Sequence, residues 1–477
     1  MKLAIAALLA LTSSQLVWAD AKDYYFRRFR DGQAAQKLGV LFPSIPEDLA
    51  ATTEDSLDQV LNHDDPSDLR TFKQRYYINR GYAVGANPPV VLYVCGEAIC
   101  EARELGGAVA AQAKKLGAVM VALEHRYYGK SVPLGRLTAE NLKYLTIGAA
   151  LKDLAKFQQY ASDRLGLKGK WITIGGSYPG MLSAFFRQKF PTLTVGSLAS
   201  SAPVLAKDNF EEYDLHVTQQ AGTACAAQMR NVTALVEKAL ADPARHDALK
   251  RQFDAERVKD DDDFLYLVAD VGAAAVQYGM KDRFCRAISA GGDSIANYAD
   301  FAKQLFAAFG MSAYQFSIAS AESEDPADYY TGFGYRSWLW QSCTEFGGFQ
   351  NAWHEAGVTT RSTRINPDYH RRLCARLFGE AYGKGPDVAA TNHAFYEPLL
   401  NSETASNILF TNGSQDPWSK LGITTENGNT GNPNTRFFGI EGAAHCDDLR
   451  APSIGDSAAL VQARALFSDL ATQWVAK

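Results

Sequence analysis

From residue 88 onward the chain repeats one local pattern: a short apolar run, a turn, then an amphipathic stretch. The runs "PVVLYV" (89–94), "AVMVAL" (118–123) and "WITIGG" (171–176) carry no alternating polar residues, so strands built from them must be covered on both faces. The stretches "LGGAVAAQAKKL" (105–116) and "TIGAALKDLAKFQQYASDRL" (146–165) have the spacing of helices with one apolar side. Buried strands alternating with such helices specify a parallel sheet between helical layers. The expected class is α/β. "TLTVGSLASSAP" (192–203) continues the pattern, "SNILFTNG" (406–413) and "TRFFGIEG" (435–442) resume it, and an amphipathic helix over 457–475 closes the chain. Between about 206 and 335 the sequence is mostly helical and richly charged. A helical cap over 206–335 is therefore expected, inserted between two parts of one domain, 20–205 and 336–477. Its acidic run, Asp260–Asp263, reads as a solvated helix start or loop.

The strand-like run 171–176 ends on Gly175-Gly176-Ser177-Tyr178-Pro179-Gly180 and leads into helical sequence. This is close to the G-x-S-x-G elbow that exposes a serine hydroxyl between a strand and a helix. A hydroxyl is a poor nucleophile at neutral pH unless a base takes its proton and a third group orients the base. In the α/β-hydrolase arrangement the order is serine, acid, histidine, each just beyond a strand end. Asp416 follows the run 406–413 and His445 follows 435–442. Singly, a Gly-Gly-Ser loop, an Asp-Pro turn and a lone histidine are ordinary. Together, in this order and context, Ser177, Asp416 and His445 form a candidate catalytic triad on an α/β-hydrolase fold.

Pro179 stands where the elbow usually has glycine. That position lies in the first turn of the following helix, where the N–H has no helical partner and a fixed φ suits the start. The oxyanion donor in such a site is the N–H of the residue after the nucleophile, here Tyr178, which proline at 179 leaves in place. The glycine also gives strand and helix room to pass; Gly175, Gly176 and Gly180 supply it here. A second donor is expected from the turn after 89–94, at the backbone of Gly96 or Glu97.

The first residues, "MKLAIAALLALTSSQLVWAD", combine Lys2, a short apolar run and a small-residue site at Ala19, which reads as a secretory signal peptide over 1–19. The run is too short to span a bilayer, and no later stretch is long and apolar enough, so no stable membrane insertion is expected. A net charge of -5 gives no electrostatic reason to expect nucleic acid. Nothing calls for a cofactor or a metal. Oligomeric state stays open, a homodimer included. The 477 residues hold seven cysteines, an odd count that leaves at least one thiol unpaired within the chain. Asn231-Val232-Thr233 is a glycosylation sequon in polar, helix-like sequence; Asn412-Gly413-Ser414 also fits but follows a strand that should be buried.

The segments "DPSDLRTFKQRYYIN" (65–79), "EHRYYGKSVP" (124–133), "GGSYPGMLSAFFRQKFP" (175–191), "WLWQSCTEFGGF" (338–349), "TNGSQDPW" (411–418) and "GAAHCDDL" (442–449) resemble the prolyl carboxypeptidase family of serine peptidases. That family includes dipeptidyl peptidase II and the thymus-specific serine protease. "CTEFG" and the cysteine straight after the histidine look closest to the thymus-specific branch. The resemblance implies a secreted or lysosomal peptidase acting on peptide substrates, with Ser177, Asp416 and His445 as its triad and a helical cap over the site. It implies a preference for cleavage after proline, with Met181 and Trp418 at positions that help line the proline pocket. Carboxypeptidase, dipeptidyl-peptidase and endopeptidase modes stay open, because the cap is poorly matched. The same triad and fold also serve carboxylic-ester hydrolysis, and a catalytically silent scaffold is the remaining alternative. For the cysteines, Cys343–Cys374 fits a bridge of the family. Cys95–Cys100 would close a small loop, Cys225–Cys285 would tie the cap together, and Cys446 is the candidate free thiol.

Overall fold

The computed structural model describes residues 49, 51–424 and 431–476; the expected signal peptide lies outside them. Eight strands form one sheet in the order β1-β2-β4-β3-β5-β6-β9-β10. They are β1 (Thr53–Val60), β2 (Thr71–Asn79), β3 (Val90–Val94), β4 (Val119–Leu123), β5 (Trp171–Gly176), β6 (Gly196–Ser200), β9 (Ile408–Gly413) and β10 (Thr435–Ile440). β7 (Lys207–Asn209) and β8 (Gly347–Phe349) pair separately. Within the large sheet β2 alone runs against the others. This is an α/β-hydrolase sheet, and β5, the strand that leads to Ser177, lies inside it.

The non-alternating runs behave as their composition requires. β4 and β5 are buried at every position, between two apolar layers. Helices Ile147–Arg164 and Tyr178–Lys189 cover one face, and helices Gly107–Leu116 and Ala458–Ala476 the other. β1 and β2 form a hairpin that starts before the pattern read from residue 88. β1, "TEDSLDQV", buries only Leu57 and Gln59 fully, so it offers no apolar run to recognise.

The chain leaves the sheet after β6 and returns only at Ile408. The helical block thus extends past the boundary read at 335: helices Tyr335–Gln341 and Pro367–Phe378 belong to it, and Leu373, Leu377 and Phe378 share its apolar core with Phe264, Leu305 and Phe316. Asp260 does cap helix Asp261–Gln277, accepting from the N–H groups of Asp262 and Asp263. Asp263, however, is 1% exposed, and takes bonds from Tyr369 and Arg376. It is a buried partner, not a solvated one.

Three disulfides, Cys95–Cys100, Cys225–Cys285 and Cys343–Cys374, leave Cys446 free. Asn231 is exposed, whereas Asn412 is buried within β9. Among the described residues no helix is long and apolar enough to cross a membrane.

Candidate active site

Ser177 sits at the turn between β5 and helix Tyr178–Lys189 with φ 63° and ψ -133°, a left-handed strained conformation for a residue with a side chain. Its N–H is tied to the Ser200 carbonyl at 2.8 Å, and its own carbonyl accepts from Met181 N at 3.0 Å. Crowding around the turn explains the glycines. A Cβ on Gly175 would stand 2.1 Å from the Pro179 carbonyl oxygen. The ring of Pro179 lies over Gly96, where a Cβ would come within 2.3 Å of its Cγ. Proline at 179 is thus accommodated by a glycine on a different strand end.

Asp416 begins the short helix after β9 and is fully buried. Its Oδ1 accepts from Trp418 N at 2.9 Å, and its Oδ2 meets His445 Nδ1 at 2.7 Å. Burial opposes a charged imidazole, but the Asp416 carboxylate and the Cys446 thiol outweigh it and raise the His445 pKa well above the usual value. The loop that carries His445 is pinned from below. Asp448 accepts from Ser200 Oγ at 2.5 Å and Thr411 Oγ1 at 2.7 Å, and Cys446 N donates to Ser201 Oγ at 3.0 Å. It is also pinned from above, because His445 N donates to the carbonyl of Gln277 at the end of helix Asp261–Gln277. The histidine and nucleophile turns pack together: a Cβ on Gly176 would stand 2.9 Å from Cys446 Sγ.

The turns that carry Tyr178 and Gly96 are held just as firmly. His125 Nδ1 faces the Arg126 carbonyl at 2.7 Å and must donate to it, which leaves Nε2 to accept from the Tyr178 hydroxyl at 2.9 Å. Burial drives His125 down to about 4, so it stays neutral. Gln341 Nε2, from the helical block, donates to the same hydroxyl at 2.7 Å. Glu124 takes bonds from Arg75, Ser131 and Cys100 N, and Arg75 donates to the Cys100 carbonyl, clamping the 95–100 turn. Arg126, wholly buried, holds both carboxylate oxygens of Asp153 at 2.6 Å. Breaking such a pair would cost about 3–5 kcal/mol. The "EHRYYG" segment is therefore scaffold for the site.

Met181 and Trp418 fall in adjoining clusters. Met181 is buried with Tyr178 and Phe346. Trp418 packs on Phe210 and Tyr213, both at 5.5 Å between ring centres, and donates from Nε1 to Gln277 Oε1 at 3.0 Å. Trp338 joins the two, 4.9 Å from Phe346 and 6.3 Å from Trp418. The backbone of Gly348 faces Trp418, whose Cζ3 lies 3.5 Å from where a Cβ would stand. Gln277 and Tyr278 (6.1 Å from the His445 ring) come from the helical block and no local pattern marks them, whereas Trp338 and Gln341 lie within the motif 338–349 without having been given a role. A cavity of about 780 Å³ lies elsewhere, along helix Ile147–Arg164, and holds none of these residues. Among the described residues no cluster of side chains has the make-up of a metal site.

The model of the family described as "Serine carboxypeptidase S28" matches residues 59–467. A probable serine protease of Arabidopsis thaliana, EDA2, is 38% identical over 77% of this chain and 75% of that protein. The thymus-specific serine protease of Mus musculus is 30% identical over 88% of this chain and 87% of its own length. The lysosomal Pro-X carboxypeptidase of Bos taurus is 27% identical over 85% and 84%. The matched span runs from β1 into the last helix and contains every element that shapes the elbow, the Asp416–His445 pair and the aromatic clusters. The chain is a serine peptidase of the S28 family.

Proposed function

We propose that the protein hydrolyses peptide bonds through an acyl-enzyme on Ser177, with His445 as general base and Asp416 orienting it. The observation that carries this reading is the 2.7 Å bond between His445 Nδ1 and the buried Asp416, packed against a strained serine elbow. With Nδ1–H committed to Asp416, Nε2 is the nitrogen that takes the Ser177 proton and returns it to the leaving amine. The N–H groups of Tyr178 and Gly96 would receive the oxyanion, on turns whose side chains are fixed before substrate arrives. Preorganisation of this kind needs no cofactor.

Proline is the proposed residue before the scissile bond. A ring without an N–H suits a compact apolar pocket, and the Trp418 and Met181 clusters joined by Trp338 supply aromatic faces and a thioether. The likeness to Pro-X carboxypeptidases points the same way. Three disulfides fit passage through an oxidising secretory compartment, so secretion or a lysosomal destination is proposed with it. The test is a rate comparison on proline-anilide and short acyl-ester reporters, followed by cut-site mapping on a defined peptide library. Faster ester turnover with no proline-directed cut would refute the reading.

A further inference from the structure

The turn that carries Gly96 also carries a carboxylate that the triad does not use. Glu97 is half-buried and lines a cleft of about 180 Å³. Gly96, Gly176 and Pro179, from the two turns beside Ser177, form part of its wall, and Phe333 of the helical block forms another part. No lysine, arginine or histidine lines it. The second carboxylate there, Glu104, is engaged by Arg103 at 3.6 Å and by the Tyr93 hydroxyl. Among the described residues no lysine or arginine pairs with Glu97, and His445 is the one positive group whose charge reaches it. Burial pushes its carboxyl up to about 7, with only its own N–H and His445 pulling the other way.

The position is rigid. The Glu97 carbonyl accepts from Gly334 N at 2.9 Å, Ala98 bridges to Phe333, and Cys100 is held by its disulfide and by Glu124. A half-buried carboxylate on such a turn, with no lysine or arginine lining its cleft, is placed to accept a substrate cation. The side of the nucleophile matters too. Cys95, Cys100 and Tyr93 pack with the sheet face under helices Gly107–Leu116 and Ala458–Ala476. Met181 packs on the opposite face, and Trp418 with the helical block. The cleft thus opens beside the nucleophile turn, and Phe333 of its wall stands 5.8 Å from Trp338 of the proposed proline pocket, so a peptide held in that pocket passes within reach of Glu97.

We propose that Glu97 is a specificity-determining residue that takes a cationic group of the peptide at this cleft. The proposal rests on the peptidase reading above. A protonated amine or guanidinium can come from a lysine or arginine just after the cut, or from a free α-ammonium.

The test uses the full-length protein and quenched peptides with proline before the cut and lysine, alanine or glutamate after it, each with a free and an acetylated N-terminus. The expected result is a kcat/KM at least tenfold higher for lysine than for glutamate at pH 8, falling to within about threefold in E97Q and largely kept in E97D. Dependence on acetylation instead would assign the cation to the α-ammonium. The lysine-to-glutamate ratio should shrink from pH 8 to pH 5 in the wild type, as Glu97 takes up a proton, and stay flat in E97Q. Tyr93, Tyr128, Tyr178 and Tyr278, which feel the Glu97 charge, are pushed up by burial and stay neutral over that range; His445 also acts on Glu97, and its effect on the nucleophile is common to both substrates and cancels in the ratio. Fluorophosphonate labelling reports the nucleophile separately. A wild type that labels yet shows no cation preference, or an E97Q protein that keeps it, overturns the proposal. A wild type that neither labels nor cleaves overturns the peptidase reading instead.

Discussion

Gly96→Ala would place a methyl carbon 2.3 Å from Cγ and 2.6 Å from Cδ of Pro179. Carbon atoms rest about 3.5–4.0 Å apart, so something must move by roughly 1 Å or more. The proline ring cannot fold away, because it fixes φ at the helix start, and that start is pressed against Gly175. The displacement therefore falls on the 95–97 turn and on the proposed Gly96 donor. Overpacking of this kind destabilises by about 1–3 kcal/mol. Moving one oxyanion donor costs on the order of 100-fold in kcat. Pro179→Gly removes the ring, so the double variant G96A/P179G should recover most of both losses. The assay is a double-mutant cycle of thermal unfolding and of kcat per titrated active site on a proline-anilide. The reasoning fails if G96A turns over like the wild type, or if it is equally damaging with glycine at 179.

Asp416→Asn should keep the fold and lower kcat on the order of a thousandfold or more, because the imidazole loses its orienting carboxylate; a loss under tenfold in steady-state kinetics would contradict the assigned role. The same change should move the rising limb of the pH–rate profile to lower pH, since Asp416 is what raises His445. Trp418→Ala should lower kcat/KM on proline substrates at least tenfold and flatten the proline-over-alanine preference, measured on paired anilides; an unchanged ratio would remove Trp418 from the pocket. Burial pushes Glu345 up to about 8, although Ile147 N–H and Gln341 bind its charged form. A folded pKa above the unfolded one means the folded state keeps a proton that the unfolded state releases, so this stabilisation is full below about pH 4.5 and is lost as pH rises to 8. Glu345→Gln should therefore show a flatter decline of Tm between pH 5 and pH 8, and a decline as steep as the wild type's would refute that assignment.

What could be read from sequence divides along a physical line. β3, β4 and β5 were legible because strands buried on both faces must be apolar throughout, and the positions of Ser177, Asp416 and His445 just past the ends of β5, β9 and β10 could be read from the chain even though β10 is only partly buried. β1 was missed because its outward residues are charged and only Leu57 anchors it to the apolar core. The extent of the helical block was not legible, because helix Tyr335–Gln341 packs with helices far from it in sequence and no local pattern carries that contact. Gln277 could not be found at all: its backbone carbonyl holds His445 N and its side chain holds Trp418, contacts that exist only once helix Asp261–Gln277 has folded over the sheet. The partnership of Gly96 with Pro179 is of the same kind. Each residue is ordinary alone, and only the packing of β3 beside β5 brings the glycine beneath the ring.

The central claim is that one serine, Ser177, carries the acyl group. Its most direct test is to quench a slowly deacylating proline ester with acid during turnover, weigh the intact protein, and locate the adduct by peptide mapping. The account predicts a single acyl adduct on Ser177, absent from Ser177→Ala and strongly reduced in His445→Ala. An adduct on any other residue, or undiminished peptide hydrolysis by Ser177→Ala protein, would contradict it.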